Sequence, residues 1–291
     1  LTRRSSGDFL DAMAEASRRR VSAARAERSE RELRVAALAS PSPPPLRLSA
    51  DGFDIIAEIK LQSPALGVLA DAAQVSIADR AARYAEAGAA AVSVLTEPSR
   101  FDGRLAHLRE AADALTGTGA VAMRKDFLVD PWQVFEAREA GAGGVLLIVR
   151  MLDDATLDRM LDAAAECGLF VLLEAFDEID LSRIRALPPH RQTGAPPLLA
   201  GLNTRDLRTL EVDTDRLARC RRHFPARHPA VAESGLETAG DVARAAALGY
   251  RVALIGSALM RTDAPDALIR QMLEQARACV PAGDVGAGRS A

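Results

Sequence analysis

The chain has 291 residues, 48% of them hydrophobic, and a formal net charge of −3 from 37 Lys and Arg against 40 Asp and Glu. A chain of that size buries roughly 75% of its unfolded surface, enough for a core without disulfides or structural metal, and its interspersed charge offers no footprint for nucleic acid or an anionic membrane. LTRRSSGDF at the start has no apolar signal core, no run approaches ~18 apolar residues, and Cys167, Cys220 and Cys279 lack metal-ligand spacing, so a reducing cytoplasm is expected.

From Asp8 to about Leu38 the sequence has helical spacing, with Phe9, Leu10, Met13, Ala16, Val21 and Ala24 partly on one side. Arg18, Arg19, Arg20, Arg25, Arg28, Arg31 and Arg34 are interleaved with Glu15, Glu27, Glu30 and Glu32. That reads as a solvated helix face with i, i+4 partners rather than a nucleic-acid arm. SPSPPPLRLS, residues 40–49, cannot be a helix interior, because each Pro lacks a donor and fixes φ, and reads as an extended connector. Residues 1–50 are therefore expected to form a helical extension and Pro-rich linker and 51–280 a catalytic barrel. Residues 281–291, without apolar periodicity, are expected to be a disordered tail.

From Asp54 onward, apolar runs of about 4 to 7 residues alternate with amphipathic stretches of about 10 to 15. The runs are eight: DIIAEIK, AVSVLTE, AVAMRKD, GVLLIVR, LFVLLEA, LLAGLNT, AVAES and VALIGS. Helices are predicted over 76–87, 104–115, 131–140, 153–166, 177–187, 213–223, 238–248 and 264–279. Pro131 suits a first helical turn, Ser76 and Thr238 can cap, and Gly88, Gly141, Gly168 and Gly249 stand where helices should stop. The rhythm predicts an α/β fold, a (β/α)8 TIM barrel with an extra N-terminal helix, whose chemistry belongs at the C-terminal ends of its strands. The segment 188–197 falls at the other end, as a surface excursion, and the loop over 61–75 is placed to close over a substrate.

Charges gather at the strand ends. Strand alternation puts Glu58 and Lys60 on one side, facing the lumen, while Lys125, Glu174, Asn203 and Glu233 end later runs, with Arg205 and Ser234 just beyond. A structural ion pair would account for Glu58 and Lys60 alone. Burying Lys60, Lys125, Glu58, Glu174 and Glu233 together makes little sense as stability engineering and points to a site. Desolvation is expected to lower Lys125 from about 10.4 toward the working range of a general acid. A Glu can accept a proton, and an Asn can fix a hydroxyl or carboxylate. Ser234 and Gly235 after strand seven and Gly256 and Ser257 after strand eight form a candidate phosphate cradle, with the turn at Ser63 approaching it. Pro64, Phe127 and Leu207 offer an apolar wall for a flat substrate, and His107, His190, His223 and His228 fall in helices or surface segments.

EIK followed by SP and G, VLTE with FDG, RKDF, LLE, GLN with RDL, ESG and LIGSALM occur in this order between Phe9 and about Asp266. In that ordered set the chain resembles the indole-3-glycerol phosphate synthase family. The resemblance implies conversion of 1-(2-carboxyphenylamino)-1-deoxyribulose 5-phosphate to indole-3-glycerol phosphate with loss of CO2 and water, a carboxy-lyase reaction of tryptophan biosynthesis without metal or organic cofactor. It implies Lys125 as the acid that protonates the ketone oxygen, and Lys60 and Glu58 as acid and base of dehydration with Glu174 assisting. Asn203, Arg205, Glu233 and Ser234 would position substrate and lysines; Ser63, Gly235, Gly256 and Ser257 would hold phosphate; Pro64, Phe127 and Leu207 would line the anthranilate pocket. The partner is a small phosphorylated molecule, and the chain is expected to be a monomer or homodimer.

Departures from the family pattern at Leu61, Gln62, Ala65, Ala175, Phe176 and Thr204 leave room for a paralogue acting on a substituted anthranilate adduct. Two other readings compete. One is a phosphosugar barrel such as phosphoribosylanthranilate isomerase, which would use a Cys and an Asp at strand ends, but Cys167 precedes the fifth run. The other is a non-catalytic phosphate-binding barrel, against which the intact set of ionisable groups argues.

Overall fold

Successive side chains along each strand feed two separate cores, and this alternation fixes which residues can reach the site. The computed structural model describes residues 7–49, 52–69, 76–188, 196–207 and 209–280. Its barrel strands are β1 (Asp54–Ile59), β2 (Ala91–Leu95), β3 (Val121–Lys125), β4 (Gly144–Ile148), β5 (Phe170–Ala175), β6 (Leu198–Asn203), β7 (Ala230–Glu233) and β8 (Val252–Ile255). All pair in parallel with their sequence neighbours, and β8 closes onto β1 with Asp54 opposite Val252 and Ala57 opposite Ile255. The expected (β/α)8 barrel is therefore the fold.

Ile55, Ala57 and Ile59 of β1 point outward into the larger core beneath the helices, while Ile56 joins Met123, Leu146, Phe170, Leu172, Val231 and Leu254 in the lumen. The barrel is thus a filled cylinder, and Glu58, two residues past Ile56, faces the same lumen nearer its mouth. Two helices, α1 (Gly7–Glu27) and α2 (Glu30–Ala39), precede the barrel. The strands are followed in turn by α3 (Ile77–Glu86), α4 (Leu105–Ala114), α5 (Pro131–Glu139), α6 (Asp154–Cys167), α7 (Glu178–Arg185), α8 (Asp215–Cys220), α9 (Ala239–Ala247) and α10 (Pro265–Ala278). Ser76 and Thr238 cap as expected, and Gly168, at φ 69°, takes the left-handed conformation that ends α6.

The single N-terminal helix expected from spacing is two helices. Ser29 and Glu32 form a reciprocal capping box that starts a new helix after Glu27, satisfying donors that a continuous helix would not leave free. The solvated arginine face also needs correction. Arg18 and Arg19 keep Glu15 as an in-helix partner, but Arg20 reaches Asp126, Arg25 reaches Asp130, Arg28 reaches Glu139 and Arg34 reaches Glu166. The extension is bolted to the barrel by arginines that pair across the fold. The tail at 281–291, residues 189–195 of the excursion and 70–75 of the loop after β1 lie outside the described residues.

Gly144 on β4 faces the lumen, and a Cβ there would sit 2.2 Å from the ring of Phe170. Buried in the lumen core, that ring has nowhere to retreat. Gly144→Ala is expected to destabilise by about 2 kcal/mol through overpacking, lowering the thermal midpoint by roughly 4 to 8 °C. A calorimetric scan that shows an unchanged midpoint would refute the close packing.

Candidate active site

Six strand-end side chains converge because each occupies a lumen-facing position at the C-terminal end of its strand. Glu58, Glu174, Glu233 and Asn203 are buried, and the side chains of Lys60 and Lys125 are 15% and 18% exposed at the mouth. Lys60 Nζ stands 2.7 Å from Glu58 Oε1, and Lys125 Nζ stands 3.0 Å from Glu58 Oε2. One carboxylate therefore holds two ammonium groups. Lys125 Nζ is also 3.8 Å from Glu233 Oε2. Asn203 donates its amide to Glu174 and accepts the Arg205 N–H at 2.9 Å on its carbonyl, so neither end of the amide is free to turn.

Burial pushes Glu58 up, but the facing ammonium groups of Lys125 and Lys60 outweigh it and hold the carboxyl down at about 2. Burial lowers Lys125, yet Glu58, Glu174 and Glu233 overcome that and raise it above its ordinary value. The expected lowering of Lys125 is thus reversed, because three carboxylates surround one ammonium. Glu174 is raised by burial against the pull of Lys125 and the Asn203 hydrogen bond. Glu233 is raised further, by burial and then by Glu174, with Lys125 only partly compensating. The site sorts its carboxyl groups: Glu58 is ionised, while Glu174 and Glu233 are shifted toward holding protons.

Two connected lobes open from this cluster. Pro64, Phe127 and Leu207 line the larger, with Phe9, Phe101 and Phe176. Phe9 meets Phe127 edge-on at 5.8 Å, and Phe101 lies 6.1 Å from it. Ser63 lines this lobe too, its hydroxyl accepting the Leu66 N–H at 3.1 Å. The smaller recess is lined by Ser234, Gly235, Gly256 and Ser257 together with Lys60 and Arg205. Ser234 sits at φ 68°, an uncommon conformation for a residue with a Cβ, and Thr204 braces that turn by donating to the carbonyls of Glu233 and Ser234 at 3.2 and 3.1 Å.

Fourteen of the fifteen expected residues line the two lobes; Glu233 lies just beneath, against Lys125. Gly256 has a role beyond bounding the recess. A Cβ on it would lie 2.2 Å from Glu58 Oε1, so the glycine makes room for the central carboxylate. Phe9, Phe101 and Phe176 were not anticipated. Phe176 was legible, since it follows Glu174 by two residues and shares its side of the strand, whereas Phe9 looked like one more apolar helix residue. Arg150 stacks over Phe176 at 4.7 Å and fixes that wall. Both neighbours of Lys125 turn away: Asp126 takes hydrogen bonds from Arg20, Phe127 N–H and Thr96, and Arg124 bonds Gln133 and Glu136. Cys167 ends α6, just before β5 and hence at the closed end, with its thiol pushed up to about 12 by burial. His190 lies outside the described residues, and His107, His223 and His228 line neither lobe.

The chain matches the family model for indole-3-glycerol phosphate synthase over residues 10–272. It is similar to an indole-3-glycerol phosphate synthase of Nocardioides sp., with 43% identity over 81% of this chain and 87% of the relative. It is 38% identical to that of Mycobacterium avium over 91% of this chain and 93% of the relative. Among solved structures, 3-hexulose-6-phosphate synthase from Salmonella typhimurium aligns with a TM-score of 0.60 at 15% identity, over 78% of this chain and 100% of that one, a likeness of fold alone.

The raised Glu233 has a stability consequence whose sign can be worked out. A carboxyl whose folded pKa lies above its unfolded value gives stability that is fully present below about 4.3, the unfolded value, and is lost as pH rises through the folded one. Gln mimics the protonated form without titrating. Glu233→Gln should therefore leave the thermal midpoint nearly unchanged at pH 4 and raise it increasingly toward pH 8. Midpoints that fall at pH 8 would mean that the ionised carboxylate is a net stabiliser.

Proposed function

The chain belongs to the indole-3-glycerol phosphate synthase family, and on that premise we propose that its barrel mouth closes the indole ring of the anthranilate–deoxyribulose phosphate adduct, releasing CO2 and water. The observation that carries this reading is the single carboxylate of Glu58 bridging Lys60 and Lys125 at the junction of an aromatic-walled lobe and a polar recess. An adduct with an aromatic acid at one end and a phosphate at the other fits across that junction with its ketone over the lysines. Binding energy from both ends then orients the reacting carbons.

Attack of the ring carbon on the ketone turns the carbonyl oxygen into an alkoxide. Lys125 is the proton donor in this reading. Its raised pKa keeps it charged at rest, and transfer is still downhill because an alkoxide is a stronger base than an amine. The carboxylate on the attacking ring carbon then leaves as CO2, and its bonding electrons restore aromaticity. In the final step Lys60 protonates the departing hydroxyl while a carboxylate, Glu58 or Glu174, takes the proton that lets the double bond form. Asn203 holds Glu174 in place for this, and Arg205, Ser234, Gly235, Gly256, Ser257 and Ser63 are assigned to positioning the substrate and its phosphate.

A small phosphorylated substrate met in the cytoplasm is part of the same proposal. A paralogue acting on a substituted ring is the alternative to weigh, because Phe176, one of the departures from the family pattern, forms part of the ring lobe. Indole fluorescence from the unsubstituted adduct separates the two: turnover supports the first, and silence with activity on a hydroxylated adduct supports the second. Lys125→Met is expected to lower kcat by at least about 100-fold, the contribution of a positioned acid, while the fold and substrate binding persist. Normal turnover by that variant would remove Lys125 from the mechanism.

A further inference from the structure

Two lumen positions near the mouth are glycines, and each is filled by the carboxylate of a neighbouring strand. Gly256 follows β8 and receives Glu58 from β1; Gly201 on β6 receives Glu233 from β7. A Cβ on Gly201 would lie 2.1 Å from Glu233 Oε1 and 3.0 Å from Leu172 Cδ1. The first contact cannot exist as it stands and the second is tight, so an added methyl forces the carboxylate aside.

Little else fixes that carboxylate. Neither oxygen of Glu233 has a hydrogen bond within ordinary length among the described residues, and its ion pair with Lys125, at 3.8 Å, attracts it without the directionality of a hydrogen bond. A buried group without directional bonds is located by shape. The shape here is the bare β6 backbone at Gly201, with Leu172 beside it.

We infer that Gly201 is a positioning residue for ring closure: its missing side chain is the seat of the Glu233 carboxylate and sets the distance from that carboxylate to Lys125. The inference rests on the function proposed above. Gly201 lines neither lobe, so it acts through Glu233 and not on the substrate. It also differs from Gly144, whose neighbour is a rigid ring, because the end of a glutamate side chain can swing and let the barrel keep its fold.

Gly201→Ala tests this by steady-state kinetics. The variant should fold, keep KM within about twofold, and lose roughly 10- to 100-fold in kcat, the scale of a displacement near 1 Å at reacting groups. The pH–rate profile should shift with it. Glu233→Asp supplies the rescue, since a carboxylate one methylene shorter no longer meets the new Cβ: adding Gly201→Ala to Glu233→Asp should cost no more than a few-fold. Carbon-13 NMR titration of the Glu233 carboxyl, which needs no turnover, should move by at least half a pH unit between wild type and Gly201→Ala. Unchanged kcat with an unmoved titration overturns the inference, as does an equal loss from Gly201→Ala in both backgrounds. If Gly201→Ala fails to fold and Glu233→Asp does not restore it, Gly201 is a packing glycine and the seat is refuted. A wild-type protein that does not close the ring defeats the functional reading, and the NMR titration still decides the seat.

Discussion

Glu58 is a buried carboxylate with an ammonium on each oxygen, and the rest of the site is arranged around that fact. Burial alone would favour its neutral form, and Lys125 and Lys60 hold it ionised. The dependence runs both ways. Burial lowers Lys125, and its carboxylate neighbours reverse that. Removing any one member unbalances the charges that remain in low dielectric, so the cluster behaves as a unit, and its parts cannot be assigned separate free energies. Such a unit is poor value as stabilisation, since apolar packing would fill the lumen better. Its presence at the open end, above a hydrocarbon-filled bottom, marks the division of labour expected of this barrel.

Closure of the sheet is what lets the cluster form. β1 and β8 are far apart in sequence, yet the barrel makes them neighbours, so that a glycine at residue 256 vacates the space for a carboxylate at residue 58. A glycine likewise makes room for a carboxylate between the consecutive strands β6 and β7, at Gly201 and Glu233. An open sheet would give β1 and β8 free edges and no shared lumen. The contact between residues 58 and 256 in particular arises only when the cylinder closes, and the pairing of Lys125 with both Glu58 and Glu233 joins three strands, so the pKa pattern is a property of the folded barrel rather than of any local segment.

Much of this was legible from residue order alone, for reasons that can be named. Period-two alternation placed Glu58 and Lys60 on one face, and the βα rhythm put Lys125, Glu174, Asn203 and Glu233 at equivalent ends of their strands. What escaped was whatever depended on counts of neighbours in space. The direction of the Lys125 shift hinged on three carboxylates against one desolvated amine, and alternation says which way side chains point but not how close they come. The role of Gly201 escaped for the same reason: a glycine inside an apolar run looks like a weak strand residue until the side chain that occupies its space is known. The break between α1 and α2 is different, because Ser29 and Glu32 carry the capping-box signal in the sequence itself, where Glu32 counts only as one of the interleaved charges.

The N-terminal extension shows how far the site's dependence reaches. Asp126, the residue after Lys125, accepts hydrogen bonds from Arg20 of α1 at 2.7 Å, from Phe127 N–H at 2.7 Å and from Thr96 after β2 at 2.8 Å. Arg20 therefore holds the peptide that joins Lys125 to the aromatic wall, while Phe9, on the same helix, packs edge-on against the ring of Phe127. Gln133, donating to Ser17, pins α1 to α5 a short way along. A helix that reads as an appendage in sequence thus supplies part of the ring lobe and anchors the strand end that carries Lys125. Because the carboxylate of Asp126 takes both the Arg20 guanidinium and the Phe127 N–H, displacing α1 would loosen the wall and Lys125 together, which makes the extension part of the site's architecture and not a separable surface element.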